Sequence, residues 1–198
     1  MSPKSYSQYK YEDVANLGIS IQLQHLFSET KEIEATALLK NILEANSDQA
    51  LSTEKAKSEF IIAPILFEIA RKNKNSISFF SGHNLDVDKS LGLKGFCDFL
   101  FTKYPKSPVI KDPIFCIAEA KNDNLERGVP QCIAEMYAAR IFNERQNKPT
   151  PVIFGCITNG FLWNFIKLEN QTVEQDLTIY TLKDLPKILG ILQEIVES

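Results

Sequence analysis

Ile114-Phe-Cys-Ile-Ala-Glu-Ala-Lys121 is an apolar run that closes on an acid and a lysine two residues apart. Twenty-one residues before that acid, Phe96-Cys-Asp-Phe-Leu-Phe101 carries a lone charge, Asp98, between apolar neighbours. Both runs have the length and composition of buried strands. Side chains alternate along a strand, so Glu119 and Lys121 share one face and Ala120 takes the other. Removing an acid or an ammonium from water costs several kcal/mol unless a partner or an ion compensates it. An acid on one strand, with an acid and a lysine on its neighbour, is therefore read as a divalent-metal site with a cation beside it.

The elements on either side extend this into a fold. Tyr104-Pro-Lys-Ser-Pro108 is a polar, proline-broken loop, so the two runs are expected to pair antiparallel. A helix is expected from Val129-Pro130 to about residue 146, since proline suits a first helical turn. Pro151-Val-Ile-Phe-Gly-Cys-Ile-Thr158 is the next strand. Asn159-Gly160 is read as a hairpin turn with both central residues at positive φ, and Phe161 to Leu168 returns from it. A last helix spans about 185–196. Upstream, Ser28-Glu-Thr-Lys-Glu-Ile-Glu34 is read as opening a helix to about residue 45, because acids suit a first turn. A second helix covers about 53–72, with a kink at Pro64. Ser76 to Phe80 is a short strand and Ser81-Gly-His-Asn84 a turn. The order of helices and strands predicts an α/β protein with a mixed central sheet flanked by helices. Residues 1–50 are expected to be an N-terminal arm and helix packing on a core domain of residues 51–198.

Composition narrows the possibilities. The chain has 198 residues, 44% of them apolar and 24% charged, which suits one globular domain. No apolar run approaches the roughly 20 residues of a membrane span. The first residues lack a signal-peptide pattern, so no membrane association and a cytoplasmic location are expected. Cys97, Cys116, Cys132 and Cys156 form no CxxC pair and stand in apolar segments, as buried thiols do. His25 and His83 stand apart from each other and from the cysteines, which argues against zinc. Phosphate-binding glycine loops and G-x-S-x-G are absent. A protein that coats nucleic acid is usually basic; with a net charge of −3, any nucleic-acid contact here is expected to be local. Basic residues nevertheless cluster at Arg71-Lys72-Asn-Lys74, at Lys103, Lys106 and Lys111, and at Arg127, Arg140 and Arg145.

Other acids compete with the two on strands. Glu29-Thr-Lys31 repeats the acid-x-lysine spacing, but in a polar segment with no strand around it. Asp112 sits in a Lys-Asp-Pro turn and ranks well below Asp98. On a regular helix Glu59 shares the apolar stripe with Ile62, Ala63 and Leu66, so it is expected to face inward. Glu68 has Lys72 at i+4 and is read as an exposed pair. Gln131 lies in the first turn of the helix after the Glu119 strand, and helical side chains lean toward the N-terminus. Gln131 is thus expected to lean back over the end of that strand.

A helix Glu59, a strand Asp98, Glu119-Ala120-Lys121 on the adjacent strand and a following helical Gln131 resemble the PD-(D/E)XK nuclease superfamily. With Gln131-Cys-Ile-Ala-Glu-Met-Tyr137 and Thr158-Asn-Gly-Phe-Leu-Trp163-Asn-Phe, they look most like the N-terminal nuclease domain of type I restriction-enzyme motor subunits. Cys97 stands where the superfamily's name has proline, and Glu135 where some branches carry tyrosine. The resemblance covers about residues 53–168 and implies a restriction-endonuclease-like fold. It also implies a Mg2+-dependent nuclease, with Mn2+ as a substitute, acting on nucleic acid and most simply on DNA. Asp98, Glu119 and the Ala120 carbonyl would then be metal ligands, with Glu59 near or through water. Lys121 would orient the attacking water and Gln131 would hold Lys121 or a phosphate oxygen. The chain would act alone, as a homodimer, or with a protein partner. The alternative is a catalytically silent module of the same fold, kept for binding nucleic acid or protein.

Overall fold

The computed structural model describes residues 4–111, 113–121 and 124–198; Asp112, the competing acid, lies outside them. Among these residues eight strands form one mixed sheet: β1 (Ser20–Gln24), β2 (Ser78–Asn84), β3 (Phe96–Thr102), β4 (Ile114–Ala120), β5 (Val152–Thr158), β6 (Leu162–Glu169), β7 (Thr172–Asp176) and β8 (Tyr180–Thr181). Their order is β1-β7-β6-β5-β4-β3-β2, with β8 beside β6. β4 pairs with β5 and β1 with β7 in parallel, and the other pairs are antiparallel. The antiparallel β3–β4 pair is the one expected across the proline-broken loop.

The helices are α1 (Tyr11–Asn16), α2 (Ala37–Ala45), α3 (Glu54–Lys57), α4 (Ala63–Lys72), α5 (Val129–Arg145) and α6 (Leu185–Glu197). They cover both sheet faces. On one side Leu39, Ile62, Leu66, Ile69, Ile188 and Ile191 pack with Phe99, Phe101 and Phe165. On the other, α5 packs over Leu100, Ile117 and Ile157, and Tyr6, Tyr9 and Val14 join the same cluster. The N-terminal residues thus supply a strand to the sheet and a roof to α5. Every residue from Val129 to Met136 is buried as a result. At the far end, buried Asn143 clamps α5 to β4: its Oδ1 accepts from Ile114 N–H and its Nδ2 donates to Ile114 C=O, each at 2.8 Å.

Four local readings of the sequence are corrected. Residues 28–35 are not helical; Thr36 caps α2 by accepting from Leu39 N–H. The stretch is held instead by α6, where Ile33 N–H donates to Pro186 C=O at 2.9 Å and Lys187 Nζ to Thr30 C=O at 2.6 Å. Only glycine fits at Gly190, because a Cβ there would lie 2.0 Å from Lys31 O. Ser81-Gly-His-Asn84 is not a turn but the second half of β2, paired with β3. At Asn159-Gly160 only the glycine has positive φ; Asn159 Oδ1 instead accepts the N–H groups of Phe161 and Leu162.

The fourth correction concerns the helix over 54–72. Between α3 and α4, residues Ser58–Ile62 form a π turn, closed by Ala63 N–H onto Ser58 C=O. Pro64 has no N–H for Phe60 C=O, and Asn46 Nδ2 donates to that carbonyl instead at 2.9 Å. The inserted residue rotates everything before it by about 100° relative to a regular helix. Glu59 therefore does not face inward: its side chain is 57% exposed and pairs with Lys55 at 3.6 Å. The buried acid of this helix is Glu68, which receives Arg71 at 3.0 Å, Lys72 at 3.5 Å and Thr36 N–H at 3.3 Å.

Candidate functional site

The sheet opens at Asp98. Cys97 belongs to the cluster under α5, Phe99 to the opposite cluster and Leu100 to the α5 side again. Residues two apart on a regular strand share a face, so the chain turns over at Asp98. Pairing lapses on both flanks at that point. The ladder to β2 jumps from Ser81–Phe99 to His83–Cys97, and the ladder to β4 ends at Phe99–Ala118. Ala120 N–H, freed from the ladder, donates to Asp98 Oδ2 at 2.9 Å. The carboxyl of Asp98 is half-buried and borders a cavity of about 330 Å3 lined also by Glu54, Ser58, Glu59, Gly82 and Ala120.

Glu119 and Lys121 do share a face, as strand parity requires. Ala120 packs into the opposite cluster. Glu119 is buried, and Lys121 Nζ donates to its Oε1. Lys121 Nζ also donates to Gln131 Oε1 at 3.1 Å, and Gln131 Nε2 to Glu135 Oε1 at 3.0 Å. A relay of polar side chains thus runs from the end of β4 into the first two turns of α5. Lys121 is held close by the turn that follows it: a Cβ on Gly128 would lie 2.9 Å from Lys121 Cγ. Its N–H donates to Thr158 C=O at 2.8 Å, which continues the β4–β5 ladder by one residue.

Two oxygens in this relay stand out. Glu119 Oε2 and Glu135 Oε2 are buried with no hydrogen-bond partner among the described residues. The two acids sense each other directly, and both are harder to ionise than usual. Burial drives Glu119 well above the ordinary carboxyl range, with Glu135 and Asp98 adding repulsion and Lys121 opposing. Burial likewise pushes Glu135 to about 8, against the Gln131 hydrogen bond. Asp98 is raised by burial too, partly offset by Ala120 N–H and Lys121. For Lys121 burial disfavours the ammonium, but Glu119, Glu54 and Asp98 outweigh it and the pKa rises.

The structure therefore brings Asp98, Glu119, Ala120, Lys121 and Gln131 together. Glu59 lines the same cavity as Asp98 but stands exposed on its rim, paired with Lys55. Two acids were not found in the sequence. Glu54 places its negative charge where Asp98 and Lys121 feel it; after the Thr53 cap it looks like a plain first-turn acid. Glu135 sits one turn beyond Gln131, and that i+4 spacing is the signal the sequence offers. Among the described residues no three His, Cys, Asp or Glu side chains are grouped to hold a metal ion.

No protein-family model matches the chain, and a search of curated proteins finds no match. Fold and site together define an α/β protein with a mixed eight-stranded sheet and a buried carboxylate–lysine–amide relay where two strands part.

Proposed function

We propose that the chain is a metal-dependent phosphodiesterase of the PD-(D/E)XK kind, with a restriction-endonuclease-like fold, acting on nucleic acid and in the first instance on DNA. The observation that carries this is the Glu119–Lys121–Gln131 relay facing Asp98 across the opened β3–β4 pair. A structural ion pair needs neither a parted sheet nor an orphan carboxylate oxygen beside it.

The donor set fits Mg2+, which is commonly bound through one or two carboxylates and keeps several waters. Asp98, Glu119 and the Ala120 carbonyl would hold the ion, and the unpartnered Glu119 Oε2 would gain a partner by doing so. The ion would supply Lewis acidity to the scissile phosphate and to the attacking water. The chain's own residues do the rest. Lys121, fixed from both sides by Glu119 and Gln131, offers its remaining donor to a water or a phosphate oxygen and stabilises charge growing on the phosphorus. Gln131 keeps that ammonium aimed. Glu54 and Glu59 line the same cavity and would accept hydrogen bonds from water there.

A second reading, a silent module of the same fold, is favoured by the pairing of Glu59 with Lys55, which turns the helix acid to the rim and away from Asp98. One experiment separates the two. The protein is incubated with duplex and single-stranded DNA and RNA, with Mg2+ or Mn2+, alongside Lys121→Ala and Asp98→Ala. Cleavage by the wild type is expected. Lys121→Ala should lose it by about 10²-fold or more while keeping the Mg2+-induced rise in Tm. Asp98→Ala should lose both. No cleavage of any substrate with either metal overturns the enzyme reading.

A further inference from the structure

The cavity beside Asp98 lies between the helix over 54–72 and the edge strand β2. A second cavity, of about 380 Å3, lies between the same two elements at their other end. Its walls include Phe67, Arg71 and Lys74 from the helix and its C-terminal turn, and Phe79 of β2. Lys106, on the loop after β3, completes it. Members of two basic clusters far apart in the sequence, Arg71 and Lys74 from one and Lys106 from the other, thus meet at one place. Lys74 and Lys106 are exposed, and neither forms an ion pair or hydrogen bond with any described residue. Arg71 is engaged with buried Glu68 on one side and keeps 41% of its side chain exposed. Three cations therefore stand in an acidic protein without matching surface acids among the residues that line the cavity.

We propose that this cavity is a phosphate-backbone exosite, and that a nucleic acid lies along the helix–β2 trough with its scissile phosphate at Asp98 and a neighbouring stretch of backbone on Lys74 and Lys106. The inference rests on the reading of the Asp98 cleft as a phosphodiester site. The spacing suits a duplex. Ser78 to Gly82 spans about 14 Å along β2, and Glu59 to Lys72 spans about 20 Å along the helix. At 3.4 Å per step of one strand, these spans correspond to about four to six steps. Exposed Lys55 lines the Asp98 cavity itself, at the other end of the helix, where it pairs with Glu59. Phe67, half exposed beside the cations, offers an apolar surface to sugars or an unpaired base. This local charge answers the objection from net charge: affinity comes from one trough and not from the whole surface.

The test measures binding without cleavage. A fluorescein-labelled 24-base-pair DNA duplex is titrated by polarisation in EDTA, at several salt concentrations, with wild type, Lys74→Glu/Lys106→Glu and Lys74→Ala/Lys106→Ala. The charge reversal should weaken binding by about tenfold or more, and the alanine pair by less. Either should lower the slope of log affinity against log salt by about two, one for each phosphate no longer neutralised. Unchanged affinity and slope in both lysine pairs, with Tm values equal to wild type, overturns the exosite while leaving cleavage at Asp98 untouched. Weakened binding in a protein that cuts nothing supports the exosite and overturns the nuclease.

Discussion

Glu135 shows how a single side chain couples the candidate site to stability. Its carboxyl is fully buried, and burial raises its pKa to about 8 in the folded chain, from an ordinary value of 4.5. Between those values the folded state holds a proton that the unfolded state has released. Stability from this group is therefore fully present below about pH 4.5, falls as pH rises and is flat above about pH 8. One such proton gives a slope of up to about 1.4 kcal/mol per pH unit. Glu135→Gln keeps an acceptor for Gln131 and removes the titration. Its urea stability should change less between pH 5 and 8 than that of the wild type. Parallel stability–pH curves for the two proteins would show that Glu135 is ionised in the fold. The same residue marks a limit of the sequence. Glu119, Lys121 and Gln131 were legible from strand parity and from the lean of a helix start, because both rules are local. Glu135 was not, because its burial depends on Tyr6, Tyr9 and Val14, which cover α5 from more than a hundred residues away.

At the scale of elements, the corrected readings share a cause. α5, β3, β4, the β5–β6 hairpin and α6 were legible because hydrophobic period, a proline or a turn residue marked each one. The helix over 54–72 was legible as a helix but not in phase. Nothing before Pro64 announces a π turn, and that turn exchanges the roles of Glu59 and Glu68. Segment 28–35 has acids suited to a helix start, yet its backbone is bonded to α6, and tertiary contact overrides propensity there. The π turn has one clear support, the amide of Asn46 on the carbonyl that Pro64 cannot satisfy. Asn46→Ala leaves that half-buried carbonyl without its partner and should cost about 1 kcal/mol, a fall of about 2–4 °C in Tm for a chain of this size. Asn46→Ala combined with Pro64→Ala should recover part of the loss, since alanine restores an N–H. A double variant no more stable than Asn46→Ala would mean that the turn has another cause.

At the scale of the whole molecule, the question is whether the first fifty residues are an arm or part of the fold. β1 extends the sheet by pairing with β7 from Ser20–Thr172 to Gln24–Asp176. Tyr6 and Tyr9 donate to Leu85 O at 2.5 Å and Leu91 O at 2.6 Å, tying the N-terminus to the loop that leads into β3. Tyr6, Tyr9, Val14 and Ile19 are all buried in the α5 cluster. Burying an aliphatic or aromatic side chain of this size contributes about 1.5–3 kcal/mol. Four of them amount to about 6–12 kcal/mol, the size of the whole net stability of a typical domain. An N-terminal segment that only decorated the core would contribute little of this. Deleting residues 1–19 should therefore abolish cooperative thermal unfolding and not merely lower the Tm by a few degrees. The loss should also reach the candidate site, because the side chains removed are those that keep Gln131 and Glu135 dry. A truncated protein that still unfolds cooperatively, within about 5 °C of the full chain, would show that α5 is buried well enough by the sheet alone and that these residues are an appendage.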